Sequence, residues 1–296
     1  MKYICNDCPR RCGALRDDDT PGGFCASPSM PRVARAAAHF GEEPCISGTK
    51  GSGAVFFTGC SLRCVFCQNH EISGVGGAGK AVTPEELREI FLRLRDTGVH
   101  NINLVTPTHF SRAIAEALSG LELGIPVVWN SSGYESAETL RSLEGLVQVY
   151  MPDFKYMDPA LAAAYSSAPD YPGTAVAAIE EMYRQRGAFV IDSNGIAQNG
   201  VLIRHLIMPG RPENTKAVID WVSGRFPRGE VLFSLMSQYT PMPGAARYPE
   251  LSRRVSRGEN QRLRDYMLDC GIENGFWQET RSATEEMIPE FDLTGV

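Results

Sequence analysis

Residues 54–73 read AVFFTGCSLRCVFCQNHEIS. The first five, Ala54 to Thr58, have the β-branched and aromatic character of a buried strand. Gly59 ends the run and permits a tight exit. Three cysteines then fall within eight positions, Cys60, Cys64 and Cys67, with no fourth close behind. Thiolates on a strand-end loop can hold zinc or an iron–sulfur cluster, in a structural, electron-transfer or catalytic role. Three rather than four would leave one iron of a four-iron cluster open to a small molecule. Phe66, directly before Cys67, supplies a ring able to shield such a cluster and cover a purine.

Similar apolar runs return downstream at residues 101–105 (NINLV), 126–130 (PVVWN), 147–151 (VQVYM), 201–207 (VLIRHLI) and 231–236 (VLFSLM). Helical patterns separate them, at 84–98 and about 111–120, 136–144, 173–186 and 214–224, with a last one at 257–270 closed by Gly271. The helix at Pro84 is the best marked, with Thr83 as N-cap, Pro84 at the first helical position and Glu86 completing a capping box. SNG and QNG turns within 189–207 predict a β-hairpin that interrupts the alternation. Strands alternating with helices build a parallel sheet, and six units are too few for an eight-stranded barrel. The expected fold is therefore α/β, an open partial (β/α)6 barrel with its functional groups at the C-terminal strand ends. Residues 1–48 read as a small cysteine-rich cap, 49–245 as the barrel core, and 246–296 as a C-terminal helix and tail packing on it.

The 296 residues are 43% hydrophobic and 22% charged, ordinary globular values, and the net charge of -6 gives no basis for a nucleic-acid partner. The N-terminal residues lack the apolar run of a secretion signal, and no apolar stretch is long enough to span a membrane. A cytoplasmic protein is expected, and there nine cysteines argue for metal rather than disulfides. Cys5, Cys8, Cys12 and Cys25 form C-x2-C-x3-C-x12-C, four thiols that can close a zinc site or a second, fully ligated iron–sulfur cluster. Cys45 stands apart and is expected buried. Cys270 follows Leu263, Tyr266 and Met267 at helical spacing, which predicts a buried helix face. The segment GVGGAGKA, 74–81, approaches a phosphate-binding loop but has Ala81 where magnesium needs a hydroxyl, so it reads as a mobile glycine linker.

Cys60, Cys64, Phe66 and Cys67 match CxxxCxΦC, and on that motif the chain resembles the radical S-adenosylmethionine enzymes. The adjoining CQN, Cys67 to Asn69, resembles the activases of glycyl radical enzymes. The likeness runs from about Gly51 to Gln238, and the whole chain is similar to pyruvate formate-lyase activating-enzyme homologues with an N-terminal cysteine cap. The resemblance implies a 4Fe-4S cluster whose open iron chelates the amino and carboxylate groups of S-adenosylmethionine. One electron then breaks a carbon–sulfur bond and gives a 5'-deoxyadenosyl radical. It further implies an oxidoreductase that activates a glycyl radical enzyme by taking hydrogen from a glycine, with flavodoxin or ferredoxin as reductant. A small molecule or peptide substrate, and a non-catalytic electron-transfer protein, are the competing readings.

Other residues follow from the same resemblance. MPDFK, Met151 to Lys155, resembles an activase segment beside the cofactor, which makes Lys155 the candidate partner of the methionyl carboxylate. Asn130, Ser131, Met151 and Asp153 fall where the pyruvate formate-lyase activase holds a monovalent cation, with Asn130 replacing a charged ligand. IRHLIMPG also resembles an activase segment, and Arg204 is a second candidate anion contact, with a barrel-edge ion pair as the alternative. Arg204 and His205 must face opposite ways on a strand, so at most one points inward. Where the family reads TGGEP, this chain reads VTPTHF, with Thr106 matching and His109 at the glutamate position. Thr106, Thr108 and His109 are the expected polar contacts to the cofactor, or His109 begins the following helix.

Overall fold

A computed structural model describes residues 2–278 and 289–296. The cap opens with an antiparallel pair, β1 (Tyr3–Cys5) and β2 (Ala14–Arg16). β3 (Arg32–His39) and the short α1 (Pro44–Ser47) lead into β4 (Ser52–Phe57), all six residues of which are buried. The cysteine loop follows, then α2 (His70–Ser73), β5 (Lys80–Ala81) and α3 (Pro84–Asp96). Alternation proceeds through β6 (Ile102–Val105), α4 (Ser111–Leu118), β7 (Val127–Ser131), α5 (Ala137–Arg141) and β8 (Val149–Pro152). Two helices come next, α6 (Pro159–Ser166) and α7 (Tyr171–Arg186), then the hairpin of β9 (Val190–Ile191) and β10 (Ala197–Leu206). α8 (Pro212–Arg225), β11 (Leu232–Met236), α9 (Arg257–Asp269) and β12 (Gly275–Trp277) complete the order.

β4, β6, β7, β8, β10 and β11 are parallel neighbours in that order, the six strands of the expected partial barrel. β12 adds a parallel strand beyond β11, while β3 and β5 extend the opposite edge antiparallel. The sheet thus ends at β12 and β5 and does not close. Helix α3 begins as its capping box dictates: Thr83 Oγ1 accepts from Glu86 N at 3.2 Å, and Glu86 Oε2 accepts from Thr83 N at 2.8 Å. It buries Leu87, Ile90, Phe91 and Leu94, a stripe at i, i+3, i+4, i+7. Phe91→Ala there should cost about 3–5 kcal/mol.

Several expectations change. The N-terminal 48 residues do not stay apart, because β3 pairs along β4 through six registered positions and belongs to the main sheet. Helix α6 was not anticipated, although Asp158 before Pro159 is a legible start, its carboxylate accepting from Ala160 N at 2.8 Å. Cys270 is only half-buried, because the helix ends at it and its sulfur turns to Asp220, 3.8 Å away, while Leu263 and Met267 fill the buried face. The glycine segment is tied down rather than a free linker. Arg32 Nη2 donates to Gly79 O at 2.8 Å, Thr58 Oγ1 donates to Ala78 O at 2.7 Å, and β5 pairs with β3. Residues 290–296 dock on β3: Ala36 N donates to Thr294 O at 2.9 Å, Leu293 N to Ala34 O at 3.0 Å, and Arg35 pairs with Asp292 at 2.8 Å. Among the described residues no helix is long and apolar enough to cross a membrane.

Candidate active site

The C-terminal ends of the central strands and the loop after β4 enclose a cavity of about 220 Å³. Sulfur lines one wall. Gly59, at φ +89, turns the chain out of β4, and its N–H donates to Ile72 O at 2.8 Å. Val65 N donates to Tyr165 O at 2.9 Å, fixing the loop to α6. Each thiol receives one hydrogen bond: Cys60 from Leu62 N at 3.4 Å, Cys64 from the Ser166 hydroxyl at 3.0 Å, and Cys67 from the Ser73 hydroxyl at 3.4 Å. None is in a disulfide. Burial pushes the Cys60 thiol up to about 12 and the Cys64 thiol up to about 11. As thiols they are therefore inert near neutrality, and a metal would have to displace their protons. Phe66 lies against the same space, its ring 6.2 Å from that of Tyr239.

The opposite wall is ionic. Asp153 and Lys155 stand just past β8, and Arg204 lies on β10, paired in register with Asp153. Lys155 Nζ is 2.7 Å from Asp153 Oδ2, and Arg204 Nε donates to Asp153 Oδ1 at 2.8 Å. Arg204 also donates to Glu42 Oε2 at 2.7 Å and to Asn130 Oδ1 at 2.8 Å. Glu42 Oε1 accepts from Asn130 at 2.9 Å and from Asn103 at 3.1 Å. Burial alone would raise the Asp153 carboxyl, but Arg204 and Lys155 outweigh it and hold it below its ordinary value. Burial likewise pulls Lys155 down, and Asp153 more than restores it. Glu43, 3.6 Å from the guanidinium, is raised by burial.

Cys60, Cys64, Phe66, Cys67, Thr106, Asn130, Asp153, Lys155 and Arg204 thus share one cavity. Thr106 sits at φ +59, an unusual backbone for a β-branched residue and of the kind that gathers at functional sites. Thr108 and His109 do not join it. Pro107 starts a single 3-10 turn that rolls both into the core, where the Thr108 hydroxyl donates to Glu135 Oε1 at 2.6 Å and His109 Nε2 bonds Thr58 O at 2.8 Å. His109 stands where the next helix starts, and burial keeps it neutral, pushing it down to about 3. His205 points away from Arg204, bonded to Phe154 O at 2.6 Å and Thr215 Oγ1 at 2.9 Å. Of the four residues expected at a monovalent cation, two have a side-chain oxygen already engaged, Asn130 Oδ1 and Asp153 Oδ1 both receiving Arg204. Sequence reading missed Glu42, which no motif marks, and the sulfur donors Ser73 and Ser166.

In the cap, Cys5, Cys8 and Cys25 are buried and Cys12 is exposed. Among the described residues no three His, Cys, Asp or Glu side chains converge as ligands of one metal ion. The sulfurs of a four-iron cluster each bind a different iron and stand wider apart than ligands of a single ion. Three unpaired thiols, each with one donor and all facing one cavity, are a donor set that fits such a cluster at Cys60, Cys64 and Cys67.

A family model described as the Radical SAM superfamily matches residues 54–222. An uncharacterized protein of Methanocaldococcus jannaschii is 31% identical over 265 residues, covering 86% of this chain and 71% of that protein. Streptococcus suis SuiB, solved bound to S-adenosylmethionine, is 16% identical with a TM-score of 0.50, over 74% of this chain and 48% of SuiB. The chain thus spans about half the length of that protein, and the likeness is one of fold. A domain of a pyruvate-formate lyase-activating enzyme from Bacteroides vulgatus is 14% identical over 66% of this chain and 91% of the domain. Its TM-score of 0.38 bears on neither substrate nor partner. The family match takes in over half of the chain, including the thiol loop and five of the strands that build the cavity, so the chain belongs to the radical S-adenosylmethionine superfamily.

Proposed function

We propose that the protein reductively cleaves S-adenosylmethionine and takes hydrogen from a glycine in a partner polypeptide, as an activator of a glycyl radical enzyme. The observation that carries the reading is the shared cavity, in which three hydrogen-bonded thiols face Lys155 and Asp153. In this reading Cys60, Cys64 and Cys67 hold a 4Fe-4S cluster that, when bound, supplies one electron to break a carbon–sulfur bond of S-adenosylmethionine and so yields a 5'-deoxyadenosyl radical. Lys155, with one carboxylate partner, pairs with the methionyl carboxylate. Thr106 offers a hydroxyl at the strand end, and Phe66 covers the adenine. Arg204, held between Glu42, Asp153 and Asn130, keeps the far wall rigid and leaves the carboxylate to Lys155. Flavodoxin or ferredoxin is the reductant that the family resemblance suggests.

Anaerobically reconstituted protein should release 5'-deoxyadenosine under reduction, and a cluster-loaded preparation that releases none would overturn the proposal. Lys155→Met should keep its iron and raise the KM for S-adenosylmethionine by about tenfold. A second reading replaces the protein partner by a small polar molecule. Glu42 and His39 favour it, since both reach the cavity from the segment around β3 and narrow the space a polypeptide loop would thread. A glycyl radical signal in a partner protein, against turnover of a diffusible compound, separates the two.

A further inference from the structure

The cap meets the cysteine loop at three places. Arg10, between Cys8 and Cys12, donates from Nε to the carbonyl of Ser61 at 2.8 Å, and from Nη1 to that of Ser167 at 2.5 Å. Arg63, between Cys60 and Cys64, donates to the carbonyl of Phe24, the neighbour of Cys25. Both guanidiniums lie over the Phe24 ring, at 3.8 and 4.6 Å from its centre. Gly59, next to Cys60, is pressed against the cap so closely that a side-chain carbon would meet the Ser27 hydroxyl and lie 2.8 Å from the carbonyl oxygen of Cys25. One glycine therefore separates the backbone of a cap cysteine from that of a loop cysteine.

The cap also brings Cys5, Cys12 and Cys25 onto neighbouring stretches of backbone. The β1–β2 register sets Cys5 opposite Ala14, and Ala14 borders Gly23, against which the Cys12 sulfur packs. A side-chain carbon on Gly23 would lie 2.9 Å from that sulfur, a cradle glycine alone leaves open. Cys25 lies two residues on, in the turn closed by the Gly22–Ser27 bridge. Arg16 donates to the Cys5 sulfur at 3.7 Å, placing a cation beside the group. Cys12 alone of the four is exposed, while the Cys25 carbonyl lies against Gly59, so the cap cysteines run from solvent to the Cys60 loop.

We propose that Cys5, Cys8, Cys12 and Cys25 ligate a second iron–sulfur cluster and that it relays electrons to the site at Cys60, Cys64 and Cys67. The relay rests on the reading above for its destination. Four thiolates leave no iron open to substrate, which suits electron transfer and not turnover. One electron arrives from a reduced flavodoxin or ferredoxin and one leaves toward the cavity, with no bond made or broken in the cap.

The full chain, reconstituted anaerobically, should bind about eight iron atoms. Cys8→Ser should bind about four, and Cys12→Ser, at the exposed position, serves if Cys8→Ser fails to fold. The combined Cys60→Ala, Cys64→Ala and Cys67→Ala variant should also keep about four, with a reducible cluster signal by electron paramagnetic resonance. The ratio of flavodoxin-driven to dithionite-driven S-adenosylmethionine cleavage should fall by about tenfold in Cys12→Ser. Unchanged iron in both cap variants, zinc in the cap, or an unchanged ratio would overturn the relay. Four iron atoms in the parent and none in the cavity variant would sink the relay and spare the proposed function, whereas four retained in both would keep the cap cluster but overturn the proposed function and, with it, the relay that ends there.

Discussion

Cys60, Cys64 and Cys67 come from eight consecutive positions, whereas the wall facing them draws Glu42, Asn130, Asp153, Lys155 and Arg204 from segments spread over 162 positions. The sulfur wall is unfinished by its own atoms: each thiol holds one weak hydrogen bond, and burial leaves two of them firmly protonated. Around Arg204 the ionic wall is finished, with two carboxylates and an amide on the guanidinium, and Lys155, which has Asp153 as its one carboxylate partner, keeps donors for a ligand. A wall that waits for a ligand must present it with a fixed short spacing, while a wall that completes itself can be assembled from anywhere the fold allows.

The largest test of this contrast removes the unfinished wall. Replacing Cys60, Cys64 and Cys67 together with alanine should abolish 5'-deoxyadenosine formation and the iron bound there, yet leave the thermal midpoint of the metal-free protein nearly unchanged. Iron and activity assays beside calorimetry would read both. Removing Arg204 attacks the finished wall instead. Arg204→Met leaves Glu42 and Asp153 buried without their shared cation and should destabilise the fold by about 3–5 kcal/mol in urea unfolding, with Glu42→Gln well below that. Equal losses would mean that the two walls do not differ as described.

Glu135 sharpens the contrast, because it is a buried carboxylate with no cation partner among the described residues. Its Oε1 accepts from Thr108 and, at 3.4 Å, from Trp129, and burial raises it to about 7. Between pH 4.5, its unfolded value, and pH 7, the folded protein binds its proton more tightly than the unfolded chain. Glu135 therefore favours folding at low pH and loses that contribution as pH rises through 7, by about 3 kcal/mol. Glu135→Gln should remove this slope, so that the variant gains on the parent from pH 5 to pH 8 in urea titrations. Asp153, held low by Arg204, should show no such decline in that window. The smallest effect is at the sulfur wall again. Ser166→Ala deletes the donor to Cys64 and should lower the cluster's reduction potential by on the order of tens of millivolts. Ser73→Ala, whose bond to Cys67 is longer, should lower it less.

Much of the fold was legible because its signals are local. The capping box at Thr83 and Glu86 fixes α3 by contacts three residues apart, and the apolar runs read as strands because a parallel sheet is buried on both faces. The thiol loop was legible for the same reason, its three cysteines lying within eight positions. Glu42 was not, because its role comes from β3 folding back along β4, and nothing in GEEPC announces a partner on β10. Of the two readings of His109 the helix entry holds, and Thr108 falls outside the cavity with it, because Pro107 and Thr108 stand where the family has two glycines and the 3-10 turn that proline starts rotates both side chains inward.

The docking of residues 290–296 on β3 has a bearing on biogenesis. Arg35 and Asp292 lie 257 residues apart, and the N–H of Ala36 and the C=O of Ala34 find their partners, Thr294 O and Leu293 N, in that distant stretch. While the ribosome is still translating, the outer rim of β3 carries bare amides, a template for another nascent copy. Emergence of residues 290–296 covers that rim, so slow decoding anywhere between β3 and that stretch would lengthen the window for aggregation.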